Sequence, residues 1–253
     1  MSSRADSLAI ATLRARIACL EGDGASTGDI LPFGIASLDR KLPGGGLALG
    51  RLHEIANGGN GAIDGAAATC FAAGIAARIP GQVLWCLATQ DLFAPGLEQV
   101  GLPPGRVIFV EAGDDRSVLA CMEEGLRHGG LGAVVGNVIR LPMIASRRLH
   151  LAAKGTGTIC LALRRWRQHS EADDFGQPTA ATTRWRISSL PSAPLPVPGV
   201  GRPLWLVELI RARAGESLDI ELEACDGTGH LGLPAGLADG SATAAGRLRS
   251  AAG

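Results

Sequence analysis

Residues 51–81, RLHEIANGGNGAIDGAAATCFAAGIAARIPG, decide the fold of this chain. The first six residues, 51–56, predict a short strand, and residues 57–61 form a glycine-rich loop. The small residues from Asp64 to Ala77 predict a helix that has Asp64 as its N-cap and ends before Pro80. A strand, a glycine-rich loop and a helix in this order make up a phosphate-binding unit.

Strands and helices are predicted to alternate from this unit as far as residue 163. The strands are near-continuous apolar runs, which are typical of a parallel sheet covered by helices on both faces. These strands are predicted over 83–87, 107–110, 133–139 and 158–163, and the helices over 94–100, 117–128 and 142–154. Residues 164–178 are interpreted as a polar loop. Three later strands without intervening helices, at 184–190, 204–210 and 218–223, predict an antiparallel extension of the sheet.

The two ends of the chain differ from this core. Residues 4–20 place apolar side chains at helical spacing, so residues 1–28 are interpreted as an N-terminal helix and a linker. Residues 29–226 are predicted to form the core domain, and residues 227–253 a disordered tail. No apolar run approaches the roughly 20 residues that cross a bilayer. The six scattered cysteines are typical of buried free thiols. We therefore expect a cytoplasmic protein with no metal site.

The loop lacks the side chains that nucleotide chemistry requires. In the motif G-x-x-x-x-G-K-[ST], the lysine reaches the terminal phosphates and the Ser or Thr binds Mg²⁺. The corresponding triplet here is Gly65-Ala66-Ala67, and lysine occurs only at positions 41 and 154. A carboxylate at Asp64 also takes the electrostatic position of a phosphate. The degenerate loop comprises Gly58, Gly59, Asn60, Gly61, Asp64, Gly65, Ala66 and Ala67. We expect no hydrolysis, and no catalytic residue or cofactor is assigned.

The stretch before the loop resembles the RecA family. LPFGIASLD at 31–39, GGGL at 44–47 and GRLHEI at 50–55 are similar to the approach to the nucleotide loop in that family. TRWRI at 183–187 and WLVELIRAR at 205–213 are similar to a narrower family, ImuA. The resemblance covers about residues 31–223. It implies an α/β fold with a RecA-like P-loop-type core, in which a mostly parallel sheet has helices on both faces and an antiparallel strand extension.

The RecA resemblance also implies two acidic positions that this chain lacks. A catalytic glutamate would follow the second core strand, where Thr89-Gln90 stand before Asp91, and the Walker B strand would end in aspartate, where Gly136-Asn137 stand. The ImuA resemblance implies a non-catalytic accessory protein in the SOS response to DNA damage, acting in translesion synthesis. Its implied partners are an ImuB-type protein and a DnaE-type error-prone polymerase, with RecA and DNA as further candidates.

A basic segment lies within a chain that has no net charge. Residues 140–213 carry twelve basic and four acidic side chains, and arginine interleaves with tryptophan at 164–167 and 184–186. Such a surface can stack bases and neutralise phosphates. The segment 164–167 is interpreted as this kind of surface, whereas the alternation at 184–186 also fits a strand with a buried tryptophan. Candidate DNA- or partner-binding residues are Arg164, Arg165, Trp166, Arg167, Arg184, Trp185, Arg186, Arg211 and Arg213.

Other interpretations stay open at this point. The chain could be an active RecA-type DNA-dependent ATPase that borrows Lys41 or Lys154 from another subunit, or a SulA-like inhibitor of cell division. The N-terminal helix and the region after Leu204 are candidate partner contacts. His53 and Glu54 are adjacent on a strand and therefore point to opposite faces, so we interpret both as structural residues.

Overall fold

One eight-stranded sheet organises the chain. The computed structural model describes residues 29–59, 61–166, 169–192, 199, 201–213 and 215–234, without the side chains of 169 and 170. Two short strands, β1 and β2, form a separate antiparallel pair. The strands are β1 Ile30–Leu31, β2 Leu47–Ala48, β3 Leu52–Asn57, β4 Val83–Leu87, β5 Val107–Glu111, β6 Ala133–Val138, β7 Ile159–Arg164, β8 Thr183–Leu190, β9 Leu204–Ala212 and β10 Leu218–Glu223.

The strand order in the large sheet is β10-β9-β8-β3-β7-β6-β4-β5. The six strands from β8 to β5 run parallel, while β9 pairs antiparallel with β8 and β10 antiparallel with β9. This arrangement confirms the predicted parallel sheet and its antiparallel extension. The carboxyl ends of the parallel strands meet at one edge, which is where the loop after β3 lies.

Helices cover both faces of the sheet. The helix α2 packs against β3 and β8 on one face, and α4 and α5 pack against each other and against the sheet on the other face. Short 3₁₀ turns occupy Pro43–Gly45, Pro104–Arg106 and Asp173–Gly176. The helices are α1 Ala36–Asp39, α2 Ala62–Ala77, α3 Ala94–Gln99, α4 Asp115–His128, α5 Met143–Thr156 and α6 His169–Ala172. None in the described part of the chain is long and apolar enough to cross a membrane.

Two apolar clusters form the core, one on each side of the sheet. Because α2 is built largely of alanine and glycine, it lies close to the sheet, and the aromatic rings of Phe33, Phe71 and Trp185 fill the space beside it. On the other side, Met122 and Leu149 bring α4 and α5 onto β3, β6 and β7. The size of these clusters explains how a chain with few aromatic residues stabilises one large domain.

The five described cysteines are free thiols. Cys86, Cys160 and Cys225 are buried, and burial raises the pKa of the Cys86 and Cys225 thiols to about 12 and that of Cys160 further. These three thiols are therefore protonated and act as small apolar core residues. Cys19 lies outside the described residues.

Several boundaries differ from the sequence predictions. The helix α2 begins at Ala62 with Gly61 as its N-cap, so Asp64 lies inside the first turn and is not the cap. The stretch predicted as a loop at 164–178 contains α6 and a 3₁₀ turn. The core also continues past residue 226, because Leu231 is buried and Gly232 pairs with Glu223. The predicted N-terminal helix at 4–20 lies outside the described residues.

Candidate functional site

The glycine-rich loop joins the carboxyl end of β3 to the amino end of α2. The Gly58 N–H donates to the Ile187 carbonyl at 2.7 Å, and a Cβ on Gly58 would overlap the side chain of Ser188. The loop is therefore pressed against the end of β8, which explains why a glycine stands at position 58. Asn60 lies outside the described residues.

Asp64 places a carboxylate in the first turn at the amino end of α2. Its Oδ1 accepts a hydrogen bond from the Ser189 N–H at 2.8 Å, which ties the first turn of the helix to β8. A Cβ on Gly59 would lie 2.6 Å from the other carboxylate oxygen, so this acid also covers the loop. The positive end of the helix dipole already has a negative partner, and a phosphate entering here would meet a carboxylate.

The triplet Gly65-Ala66-Ala67 contributes no ligand to the site. Ala67 is buried against the sheet and Ala66 is exposed. A positive charge nevertheless lies close by, because the Arg165 guanidinium is beside Gly65: a Cβ there would be 3.6 Å from Arg165 Nε. Arg165 Nη1 in turn pairs with Asp91 Oδ1 at 3.1 Å. Arg165 was predicted to be a surface residue and Asp91 was noted only as following Thr89-Gln90, so the sequence did not predict this pair.

The degenerate Walker B positions have structural partners. A Cβ on Gly136 would overlap the Met122 side chain, so α4 packs where an aspartate side chain would need space. Asn137 Oδ1 accepts a hydrogen bond from the Trp85 indole N–H at 3.0 Å. Two buried amide atoms here, Asn57 Oδ1 and Asn137 Nδ2, have no hydrogen-bond partner among the described residues. These side chains are neutral amides, whereas Mg²⁺-dependent hydrolysis needs the ammonium group of a lysine and a carboxylate.

On the opposite face of the sheet, two of the predicted surface arginines form a buried ion network. Arg164 is fully buried and its Nη1 lies 2.5 Å from Glu54 Oε1, while Arg184 Nε lies 2.8 Å from Glu54 Oε2. Asp174 pairs with Arg164 at 2.5 Å, and the Thr179 hydroxyl donates to Glu54 at 2.9 Å. Two acids thus balance two arginines, as burial of charge requires.

The aromatic ring of Phe175 completes this network. The Arg184 guanidinium lies 4.5 Å from the ring centroid, and Trp166 packs against the same ring at 5.6 Å between centroids. The network therefore fixes the connection between β7 and β8. It also orients the chain so that the next residue, Arg165, lies on the other side of the sheet beside α2.

These contacts correct four of the proposed DNA- or partner-binding residues. Arg164, Trp166, Arg184 and Trp185 are buried, so their side chains do not form a stacking surface. Trp185 was expected to be buried in one interpretation, but Arg184 was expected to face solvent, and it does not. Glu54 stabilises both arginines from a position far away in sequence. An acid inside the apolar run LHEIA was the signal that a buried cation had to exist.

The remaining arginines of that set keep some exposure. Arg186 is paired with Glu208 through two hydrogen bonds at 2.7 and 2.6 Å, while Arg211 and Arg213 are exposed near the end of β9. Arg167 lies outside the described residues. His53 is structural as expected: its Nδ1 lies 2.7 Å from the Thr183 hydroxyl and its Nε2 lies 2.9 Å from the Ala48 carbonyl.

Comparison with known proteins defines the class of this domain. The structure is similar to the RadB recombinase with a TM-score of 0.56, covering 81% of this chain and 100% of that one at 17% identity. This likeness and the sheet topology show a RecA-like fold. No family model matches the sequence.

Two curated relatives identify the family. The chain is 38% identical over 196 residues to Protein ImuA of Caulobacter vibrioides, in strains NA1000/CB15N and ATCC 19089/CB 15. Each alignment covers 74% of this chain and 80% of the relative. The chain therefore belongs to the ImuA family.

Proposed function

We propose that this chain is a non-catalytic, RecA-like accessory protein in SOS-induced, error-prone translesion DNA synthesis. It acts in the cytoplasm by binding an ImuB-type protein that works with a DnaE-type polymerase, and RecA and DNA are further candidate contacts. Membership of the ImuA family and the RecA-like fold support the general role. The absence of catalysis is our inference from the site, and the partners are our inference from membership of the ImuA family.

One observation carries the proposal: the Asp64 carboxylate lies at the amino end of α2, with Gly65-Ala66-Ala67 behind it. Its hydrogen bond to the Ser189 N–H holds the acid in place. Charge-assisted hydrogen bonds contribute roughly 1.5–3 kcal/mol each. A nucleotide would therefore lose the contacts of the missing lysine and metal ligand and would also meet a fixed negative charge.

The two lysines do not compensate within one chain. Lys41 forms an ion pair with Glu216. Lys154 belongs to α5, which packs on the face of the sheet opposite α2. An active ATPase would need one of these lysines from a second subunit. If the double substitution Lys41→Ala and Lys154→Ala left a measured turnover unchanged, that route would be excluded.

The direct test measures ATP hydrolysis and nucleotide binding by the purified chain. We expect phosphate release at the buffer rate with Mg²⁺ and ATP, with or without single-stranded DNA, while a RecA protein assayed in parallel turns over. The proposal fails if the chain hydrolyses ATP in a Mg²⁺-dependent manner and Asn137→Ala abolishes that activity. Arg40→Ala is the matched control, because Arg40 is exposed and follows α1, outside the loop and the first turn of α2.

A second test addresses the partner. The chain and the ImuB-type protein of the same genome are co-expressed and purified through a tag on one of them. We expect a complex that forms without nucleotide and is unchanged by added ATP. A complex that required ATP would contradict a non-catalytic adaptor, and the absence of any complex would remove the ImuB-type partner from the proposal.

A further inference from the structure

The helix α5 carries an exposed face that the fold does not use. Its buried side consists of Ser146, Leu149 and Ala153, which face the sheet. On the opposite side, Ile144 and Leu151 are 75% and 66% exposed. These residues are seven positions apart, so they lie on one face two helical turns apart, at roughly 10 Å. Large apolar side chains aligned in this way mark an interaction surface more often than isolated ones do.

Basic side chains border this apolar pair. The helix α5 contains Arg147, Arg148 and Lys154 and no acidic residue. Arg148 and Arg127 both pair with the buried carboxylate of Glu123 on α4, so two arginines neutralise one acid. Arg147 and Lys154 form no ion pair with any described residue. The face is therefore positive as well as apolar, and within the described part of the chain no acid pairs with Arg147 or Lys154.

We propose that this α5 face, defined by Ile144, Arg147, Leu151 and Lys154, docks an acidic amphipathic helix of a partner protein. An apolar stripe flanked by acids would cover Ile144 and Leu151 and would pair with Arg147 and Lys154. The inference rests on the proposed adaptor function, to which it adds a contact surface. That surface is distinct from the N-terminal helix and from the region after Leu204.

The chain's own terminal segments do not have this chemistry. Residues 4–20 contain Arg4, Arg14 and Arg16 against one acid, Asp6, and residues 235–253 contain two arginines against one acid. Even with Glu21 and Asp23 of the linker, residues 1–28 carry no net negative charge, so neither segment supplies the acid that would balance a positive face. Nucleic acid would match the charge but would leave two large apolar side chains exposed to a polar backbone. Charge and apolar area together favour an acidic helix.

The first experiment uses a synthetic probe. A fluorescein-labelled peptide about 18 residues long, which spans about five turns, carries leucine on one helical face and glutamate on both borders. Its binding to the full chain is measured by fluorescence anisotropy, beside a peptide of the same composition with shuffled leucines. We expect saturable binding of the first peptide only. Ile144→Ser with Leu151→Ser should weaken it at least tenfold, and so should Arg147→Glu with Lys154→Glu.

Matched controls separate this face from general surface effects. Ile63→Ser removes an equally exposed isoleucine from α2, and Arg40→Glu reverses an exposed arginine elsewhere. Both should leave binding within twofold of the unmodified chain. Because all the substituted side chains are exposed, we expect unchanged circular dichroism and thermal midpoints in every variant. Equal loss of binding in the control variants would overturn the proposal.

The competing occupants are tested with the same variants. Poly-dT and phosphatidylglycerol vesicles are titrated in parallel, and the oligomeric state is measured by sedimentation. The proposal is overturned if the peptide fails to bind while poly-dT or vesicles bind through Arg147 and Lys154. It is equally overturned if the chain self-associates through Ile144 and Leu151.

The ImuB-type protein provides the final test. Loss of its complex in the α5 variants, with retention in the Ile63→Ser and Arg40→Glu controls, supports the proposal. If the complex forms equally with every variant, the α5 inference is wrong and the adaptor function stands. If the complex never forms, the proposed partner is wrong, and the peptide measurements decide the α5 inference alone.

Discussion

Lowering the pH to 5 should destabilise this protein through His53. The imidazole is fully buried on β3, where burial lowers its pKa from 6.5 to about 4 despite the opposing hydrogen bond to Ala48, with smaller contributions from His150 and Arg51. Because the Ala48 carbonyl can only accept, Nε2 carries the proton and Nδ1 accepts from the Thr183 hydroxyl. The indole of Trp185 donates to the same hydroxyl oxygen at 2.6 Å. The neutral ring is therefore satisfied, and a proton would place an unbalanced charge in the core.

The size of this loss of stability follows from the linkage between proton binding and folding. Since the folded-state pKa lies below the unfolded one, the stability due to neutral His53 is present above pH 6.5 and is lost as the pH falls toward 4. One pKa unit corresponds to about 1.4 kcal/mol, so the full effect is about 3 kcal/mol. By pH 5 the unfolded chain has bound its proton and the folded chain largely has not. The expected loss between pH 7 and pH 5 is about 2 kcal/mol from this group alone.

Urea denaturation monitored by tryptophan fluorescence measures this loss, with His53→Gln as the matched variant. Glutamine keeps a donor and an acceptor but cannot be protonated in this range. The unmodified chain should therefore lose about 2 kcal/mol more than the variant between pH 7 and pH 5, and an NMR titration should show His53 neutral at pH 5. If both proteins lost the same free energy of unfolding, the assignment of His53 as a buried neutral residue would be refuted.

Three further predictions concern residues that the site revealed. Glu54→Gln leaves two buried arginines undercompensated and should lower the free energy of unfolding by about 3–5 kcal/mol in urea, whereas a change below 1 kcal/mol would show that solvent reaches the network. Gly136→Ala drives a methyl group into Met122 and should lower the free energy of unfolding by about 1–3 kcal/mol. Adding Met122→Ala should recover part of this loss, and strictly additive changes in the free energy of unfolding would contradict the overlap. The thiols of Cys86 and Cys160 should react with Ellman's reagent only after unfolding, and rapid labelling of either in the folded protein would show that it is accessible.

Much of this fold was predictable because its signals are local. The strands β4 at Val83–Leu87 and β10 at Leu218–Glu223 were predicted with their observed bounds, since each is a short run between turn residues. Alternation of strands and helices then determined a parallel sheet. The loop after β3 and the absence of a lysine from it were also predictable, because the spacing of that motif is fixed along the chain.

The buried charges could not be predicted by local pattern. Arg164 and Arg184 reach Glu54 across 110 and 130 positions of sequence. An arginine beside a tryptophan in a strand fits an exposed face equally well, and only the partner decides between the two environments. Likewise, the Arg165–Asp91 pair joins the ends of β7 and β4, which meet only when the sheet is assembled.

The contacts around the glycine-rich loop are made within the chain itself. In an ATPase of this class, the ligand and its metal balance the positive end of the helix that follows the loop. Here Asp64 places a negative charge at that helix end and accepts a hydrogen bond from β8. Trp85 and Met122 contact Asn137 and Gly136 at the end of β6. Each of these side chains makes a contact inside the protein. On the proposed non-catalytic function, we therefore expect that introducing a single lysine would not create an ATP site, because Asp64 and the packed Met122 side chain would remain in place. Under the proposed adaptor function, such a domain would bind its partner without nucleotide.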